Sequence, residues 1–287
     1  FAHSNGSRAL ALTDHGNMNG LAYQVLHAKR MKKQGKDFKP IFGVEAYFIE
    51  SVADWKVKLE EHRADKVKAK QIDSDRSGTT VENEAESKAA SKSELNRKRH
   101  IVLLAMNQTG LNNIFKLVSE SYHGDNFYRK PRIDFSMLEK HSEGIIALSA
   151  CLGGIYAGCY WEHREEGPSA VKQAMRDMTV KMLDVFGDRW YGELQWNAIP
   201  EQHDLNQYVI EMHKEFGIPL VSTCDSHYPT PDAWNDRELY KKIGWLGKGK
   251  PEWMSDELPD IVDEIGYELY PKNGEQMWAD YKRYSNI

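Results

Sequence analysis

Short apolar runs alternate along the chain with longer segments whose apolar residues recur at helical spacing. The run ALALT at residues 9–13 has the length and composition of a strand, and the segment NGLAYQVLHAKRMKKQG behind it has a helical period that ends at Gly35. Because strand-like and helical patterns keep alternating, we expect parallel β/α architecture. The further predicted strands are KPIFGVEAYFI (39–49), HIVLLAM (100–106), GIIALSACLGG (144–154, ending in a turn), WYGELQW (190–196) and IPLVSTCDSHY (218–228).

Two α/β folds fit this alternation. Five or six β/α units in one chain suggest a barrel, complete or incomplete. An open, doubly wound sheet is the alternative, although no Gly-x-Gly-x-x-Gly follows the first predicted strand to favour it.

Residues 51–99 interrupt the alternation. They are crowded with Lys, Glu, Asp, Ser and Ala, and they nearly lack large apolar residues after Leu59. This composition predicts a charged insertion that is partly helical and partly disordered. We therefore divide the chain into a first part (1–50), the insertion, a remainder (100–270) and a terminal segment (271–287).

Composition narrows the class of protein. The chain has 287 residues and a formal net charge of −5, so it can bury a proper core and carries no global basic signature for nucleic acid. Its cysteines, Cys151, Cys159 and Cys224, are too sparse for a disulfide framework and indicate a reducing compartment. No signal peptide or membrane-length apolar run is visible, so we expect a cytoplasmic protein. The chain begins at Phe1 with what resembles a helix end, so we expect the natural N-terminus to lie upstream.

Several predicted strands finish on side chains that bind metals. In a parallel barrel the carboxyl ends of the strands share one face, so residues distant in sequence meet there. Imidazole, carboxylate and thiolate together suit Zn²⁺, Mn²⁺ or Fe²⁺ better than Ca²⁺, and two or three such ions can clamp a phosphate ester for hydrolysis. The strand-end residues are Asp14, His15, Glu45, Cys151, Asp225 and His227.

Each of these positions also has an ordinary structural explanation. TDHG suits a helix N-cap and turn, Glu45 suits a strand acid paired with a lysine, and Cys151 suits a small buried apolar residue. His100 lies at the start of its predicted strand, which is the wrong end for a simple barrel site. An antiparallel strand or a kinked segment would bring it back.

Five segments, taken in order, resemble one known family: ALALTDHGNMNG, KPIFGVEAYF, HIVLLAMNQTGLNNIFKLVSESY, YRKPRIDFSMLEKHSEGIIALSACLGG and IPLVSTCDSHY. They are similar to the polymerase-and-histidinol-phosphatase (PHP) domain at the N-terminus of bacterial and phage C-family replicative DNA polymerases, the class of the DNA polymerase III alpha subunit. PRIDFSMLEKHSEGIIALSACLGG is the most specific of them, because free-standing PHP phosphoesterases lack it. Near the end, YELYPKNGEQMWADY resembles the segment that leads into the polymerase palm.

The resemblance implies a distorted seven-stranded β/α barrel of PHP type, here lacking its first strand, with a site for two or three divalent ions (Zn, Mn or Fe). It implies catalytic roles for Asp14, His15 and Asp225, with Asp14 orienting its neighbours rather than binding metal. The family also has an earlier His-x-His motif followed by an acid, which we expect upstream of this sequence. The implied metal ligands are His15, Glu45, His100, Cys151, Asp225 and His227.

The resemblance also implies a function. We expect metal-dependent phosphodiester hydrolysis, as a 3′→5′ proofreading exonuclease in the intact parent, with DNA, the polymerase palm and fingers and other replisome subunits as partners. A non-catalytic scaffold of the polymerase and a free-standing PHP phosphoesterase are the alternatives. Lys130 and Arg132 in YRKPR are candidates to contact the DNA backbone, and a structural role at a domain junction is an equal alternative.

Overall fold

A computed structural model of the chain describes residues 1–75, 95–245 and 268–285. Within them the fold is α/β. The strands are β1 (Ala9–Leu12), β2 (Lys39–Phe48), β3 (Arg99–Ala105), β4 (Phe127–Tyr128), β5 (Lys130–Pro131), β6 (Ile145–Leu148), β7 (Trp190–Gln195) and β8 (Leu220–Thr223). The helices are α1 (Leu21–Lys33), α2 (Val52–Asp75), α3 (Gln108–Ser121), α4 (Phe135–His141), α5 (Ile155–His163), α6 (Pro168–Phe186), α7 (Pro200–Phe216), α8 (Trp234–Trp245) and α9 (Gly274–Tyr284).

Six strands form one curled, half-barrel sheet in the order β1-β2-β3-β6-β7-β8, and β4 pairs with β5 separately. The expectation of a wholly parallel sheet is wrong, because β3 runs antiparallel to both β2 and β6. The physical reason is the connection. Phe48, the last residue of β2, pairs with Arg99, the first residue of β3, so β3 starts beside the point where β2 ends and runs back along it. Closure into a seven-stranded barrel stays a prediction.

Alternation along β2 separates the core from the opposite face of the sheet. Val44, Ala46 and Phe48 are buried in the main hydrophobic core, whereas Glu45 and Tyr47 point the other way. On the core side, helices α5, α6 and α7 cover the sheet around the fully buried Trp190. The Trp190 indole donates to the Tyr156 hydroxyl at 2.9 Å, so this buried polar atom is satisfied.

The charged insertion begins with the docked helix α2. Trp55 and Leu59 of α2 pack with Leu95 in a small satellite core, and the Trp55 indole donates to the Leu95 carbonyl at 3.1 Å. The helical part of the prediction for residues 51–99 is therefore confirmed at this end, while residues 76–94 lie outside the described part of the chain. Among the described residues, no helix has the length and apolarity needed to cross a membrane.

Candidate metal centre

The direction of β3 removes the objection to His100. Because β3 is antiparallel to β2, its first residues lie beside the carboxyl end of β2, with His100 opposite Tyr47 and Val102 opposite Glu45. His100 therefore starts its strand at the edge where β1 and β2 finish. Its backbone N–H donates to the Gly153 carbonyl at 2.8 Å, which ties the turn after β6 to the same edge.

Three side chains meet at this edge to form what we call the His–Glu–His cluster: His15, Glu45 and His100. One potential ligand atom from each lies within 4.8 Å of the others. Glu45 Oε1 is 2.8 Å from His100 Nδ1, and Glu45 Oε2 is 3.8 Å from His15 Nδ1. The Glu45 side chain is only 9% exposed and that of His15 is 41% exposed, so the cluster is anchored in the sheet and open to solvent on one side.

The loop after β1 holds His15 in place. Asp14 does not enter the cluster, because its carboxylate accepts from the Gly20 N–H at 2.8 Å, just before α1. Gly16 has φ +67°, and a Cβ there would lie 2.8 Å from a side-chain atom of Pro131 and 3.0 Å from one of Tyr47. The loop thus packs directly on these two residues, which only glycine allows.

The other predicted ligands lie in the loops behind β6 and β8. Ala150 and Asp225 have φ of 62° and 45°, a strained region for residues with side chains. The Cys151 sulfur accepts from the Gly153 N–H at 3.4 Å. His227 Nδ1 lies 2.6 Å from the Asp225 carbonyl oxygen, and the His227 ring centroid is 6.1 Å from that of His15. The His227 ring therefore lies near the cluster, but none of the three predicted ligands in these loops belongs to the group whose ligand atoms lie within 4.8 Å of one another.

Electrostatics differ between the two sets of ligands. Burial lowers the pKa of His15, although nearby Glu45 opposes this shift. Burial alone would raise the pKa of Glu45, but His100 and His15 outweigh it, so the pKa falls below its usual value. Burial raises the pKa of Asp225, against the opposing effect of His227. Burial, then Asp225 and Glu45, raises the pKa of the Cys151 thiol well above its usual value.

Comparison with known proteins shows the family to which this chain belongs. The family model described as PHP domain matches residues 1–197. The chain belongs to the PHP domain family.

It is also homologous to bacterial DNA polymerase III alpha subunits. It is 36% identical over 229 residues to that of Aquifex aeolicus, covering 79% of this chain and 16% of the relative. The alpha subunit of Borreliella burgdorferi is 32% identical over 243 residues, with 85% and 17% covered. That of Helicobacter pylori strain J99 is 30% identical over 276 residues, with 95% and 19% covered. The chain thus spans less than a fifth of these relatives.

One acid of this PHP domain was not predicted from the sequence. Glu193 of β7 is 5% exposed, and its Oε1 accepts from Gln195 at 3.1 Å and from the Thr223 hydroxyl. Its Oε2 is buried and has no hydrogen-bond partner among the described residues. Burial raises the pKa of Glu193 to about 7, with Asp225 and Glu45 adding to the shift. The signal that could have found it is an acid near the end of the apolar strand WYGELQW, the position that Glu45 occupies in β2.

The donors present in the PHP domain fit a divalent transition metal. Besides Glu193 Oε2, His100 Nδ1 is a buried polar atom without an aligned hydrogen bond, even though Glu45 lies close to it. Nitrogen and oxygen donors from the loop after β1, from β2 and from β3 meet within 4.8 Å, whereas the predicted donors in the loops behind β6 and β8 are not part of that group. Such a mixed set suits Zn²⁺, Mn²⁺ or Fe²⁺, and a bound cation would compensate the buried acids.

The two candidate DNA contacts occupy different environments. Lys130 is exposed. Arg132 is 1% exposed, and its guanidinium lies 4.2 Å from the Trp55 ring and donates to the carbonyls of Tyr128, Lys130 and Leu95. As placed, Arg132 fastens α2 to the sheet and does not present its charge to solvent. We therefore retain only Lys130 as a candidate phosphate contact.

Proposed function

We propose that this PHP domain binds a cluster of divalent metal ions and hydrolyses phosphodiester bonds, acting as a 3′→5′ exonuclease within a replicative polymerase alpha subunit. The observation that supports this most strongly is the convergence of His15, Glu45 and His100 within 4.8 Å at an open sheet edge of a PHP domain. The polymerase remainder and DNA are the proposed partners, on the basis of the homology to alpha subunits.

In this proposal the six ligands form two sets of three on opposite sides of the metal cluster. His15, Glu45 and His100 bind on one side, and Cys151, Asp225 and His227 bind on the other. When bound, such ions supply hydroxide near neutral pH and stabilise the leaving oxygen of a phosphate ester. The lowered pKa of His15 keeps its imidazole neutral near pH 7, so a ring nitrogen is available as a ligand.

Two further acids position the ligands. Asp14 fixes the turn that presents His15, through its bond to the Gly20 N–H. Glu193 accepts a hydrogen bond from Thr223, the last residue of β8, and so braces the strand that ends just before Asp225. We therefore assign Asp14 to orientation of His15, and we keep His15 and Asp225 as the residues closest to the reacting phosphate.

A nuclease assay tests this function. The alpha subunit that contains this domain is incubated with a 5′-labelled single-stranded oligonucleotide and Mn²⁺, and shortening from the 3′ end is followed. We expect activity that EDTA abolishes and that Glu45→Gln lowers by at least about 100-fold, since losing even an outer partner of a metal site costs roughly 10–100-fold. Glu139→Gln, at an exposed acid outside the cluster, is the matched control.

The alternatives predict other results. If the subunit binds Mn²⁺ at this site but leaves the oligonucleotide intact, the hydrolytic proposal is contradicted and the scaffold role is supported. Equal cleavage by wild type and Glu45→Gln would contradict the proposal by showing that the activity belongs to a contaminating nuclease. Hydrolysis of a small phosphate monoester without cleavage of DNA would instead favour a free-standing phosphoesterase.

A further inference from the structure

A pair of lysines lies near the His–Glu–His cluster. Lys98 immediately precedes β3, and Lys130 belongs to β5. Their ammonium nitrogens lie 5.6 Å and 5.2 Å from the centroid of the same Tyr47 ring. Within the described part of the chain, neither lysine forms an ion pair with a carboxylate.

Tyr47 connects this lysine pair to the cluster. The tyrosine is 6% exposed, and its ring stacks on that of His15 at 6.0 Å with an interplanar angle of 8°. The edge of the ring also meets His100 at 5.4 Å. Cation–π attraction holds both ammonium groups over the Tyr47 ring. The two lysines therefore lie close to the proposed metal ligands that this ring contacts.

Alternation along the chain explains why Lys98 differs from its basic neighbours. Arg97 and Arg99 both pair with Glu162, on the helix side of the sheet. Lys98 lies between them and points the other way, towards the side where His100 lies, since successive residues of an extended segment face opposite sides. The run NRKRH thus places Lys98 on the side of the cluster, while Arg97 and Arg99 are paired with Glu162 on the other side.

The ammonium groups of Lys98 and Lys130 lie near the same Tyr47 ring and repel each other. A bound anion would offset this electrostatic cost. Within the described part of the chain, the Lys98 ammonium makes one long hydrogen bond, 3.4 Å, to the Asn96 carbonyl, so further N–H donors remain for a ligand. Charged N–H groups bind phosphate oxygens strongly, and lysine is a usual phosphate ligand.

We propose that Lys98 and Lys130, braced by Tyr47, form a cradle for a backbone phosphate of a nucleic-acid strand whose end lies at the His–Glu–His cluster. The choice of a strand, rather than a free phosphate monoester, rests on the proposed function. The cradle would hold a phosphate beside the one being hydrolysed, so these lysines are positioning residues rather than catalytic ones.

The test measures binding without metal or hydrolysis. Anisotropy of a short 5′-labelled oligothymidylate is followed in EDTA between about 50 and 200 mM salt, a range over which phosphate contacts determine affinity. Removing one lysine–phosphate interaction with a single strand lowers the slope of log affinity against log salt by about 0.7. We expect that decrease for Lys98→Met and for Lys130→Met, and about 1.4 for the double variant. Lys98→Arg, which keeps the charge, should retain most of the slope.

Lys172→Met is the matched control, because Lys172 pairs with Glu211 on the helix layer. If Lys98→Met and Lys130→Met change the slope no more than this control, the cradle is refuted.

Competition with inorganic phosphate distinguishes the two sources of the anion. If the variants lose phosphate binding but keep the slope for the strand, the site takes a phosphate monoester and the proposal is overturned. A decrease in slope combined with unchanged nuclease activity in Glu45→Gln would uphold the cradle and refute the proposed hydrolysis.

Discussion

The two sides of the candidate metal centre are built differently. On the strand side, His15, Glu45 and His100 are fixed by ladder pairing, with His15 bridged to Glu45 and His100 aligned with Tyr47. On the loop side, Cys151 and Asp225 sit in turns with positive φ at residues 150 and 225. The strand side is preorganised by the sheet, whereas the loop side depends on strained turns.

The charge balance differs in the same way. Glu45 has histidines on both sides and a lowered pKa, so the strand side is internally compensated. Asp225 on the loop side and Glu193 in β7 have raised pKa values because they are buried, and Glu45 adds to both shifts. A buried acid without a partner reduces stability unless a cation arrives. The contrast indicates that metal binding would stabilise the loop side more than the strand side.

The largest expected effect comes from Glu193, studied in EDTA. Its folded pKa of about 7 exceeds the ordinary value of 4.5, so the folded state holds a proton that the unfolded state loses between those values. The stability contributed by this group therefore falls as pH rises from about 4.5 to about 7, by on the order of 3 kcal/mol. Glu193→Gln removes that loss, so the variant should be more stable than wild type by about this amount near pH 8 and nearly equal to it near pH 5.

Urea unfolding across this pH range checks the prediction. The matched variant Glu45→Gln should lose stability near pH 8 instead, because a carboxylate with a lowered pKa contributes stability above its ordinary pKa. If both variants shift stability in the same direction, the distinction between a compensated and an uncompensated side is wrong.

Metal affinity gives the next effect. Glu45→Gln should weaken binding of Mn²⁺ or Zn²⁺ by at least about 100-fold, since it removes a ligand shared by two histidines. Isothermal titration calorimetry measures this, with Glu139→Gln as the control. Losing even an outer partner of a metal site lowers metal affinity by roughly 10–100-fold. If the affinity of Glu45→Gln stays within about twofold of wild type, Glu45 is not a ligand.

The smallest effect is expected at Asp14. Asp14→Ala removes the carboxylate that accepts from the Gly20 N–H at 2.8 Å and should cost about 1 kcal/mol of stability, as other capping losses do. It should also weaken metal binding by less than Glu45→Gln does, because Asp14 acts only through the loop that carries His15. Loss of metal binding equal to that of Glu45→Gln would instead make Asp14 a ligand.

Local patterns were sufficient to predict most of the main sheet but not its directions. The apolar runs before residues 14, 45 and 151 mark β1, β2 and β6 because a buried strand needs a continuous apolar face. The antiparallel course of β3 depends on where a long insertion returns, which no local pattern records. The two-residue strands β4 and β5 are too short to leave a period.

The site was predicted less completely than the sheet. Residues that follow a strand, such as His15, stand out because polar groups end an apolar run. Glu193 lies inside its strand, and its burial follows from packing between β6 and β8. Arg132 has the sequence context of a surface cation, yet its guanidinium bonds the nearby carbonyls of Tyr128 and Lys130 and that of Leu95, 37 residues away in sequence. Such environments arise from tertiary contacts, so single-sequence reasoning misses them.

Anomalous X-ray diffraction from crystals grown with Mn²⁺ tests the central claim most directly. We predict an anomalous peak at bonding distance, about 2.0–2.2 Å, from a nitrogen of His15, a nitrogen of His100 and an oxygen of Glu45. Glu45→Gln crystals should lose that peak. An empty cluster in the wild type, with Mn²⁺ found only at exposed surface carboxylates, would contradict the account.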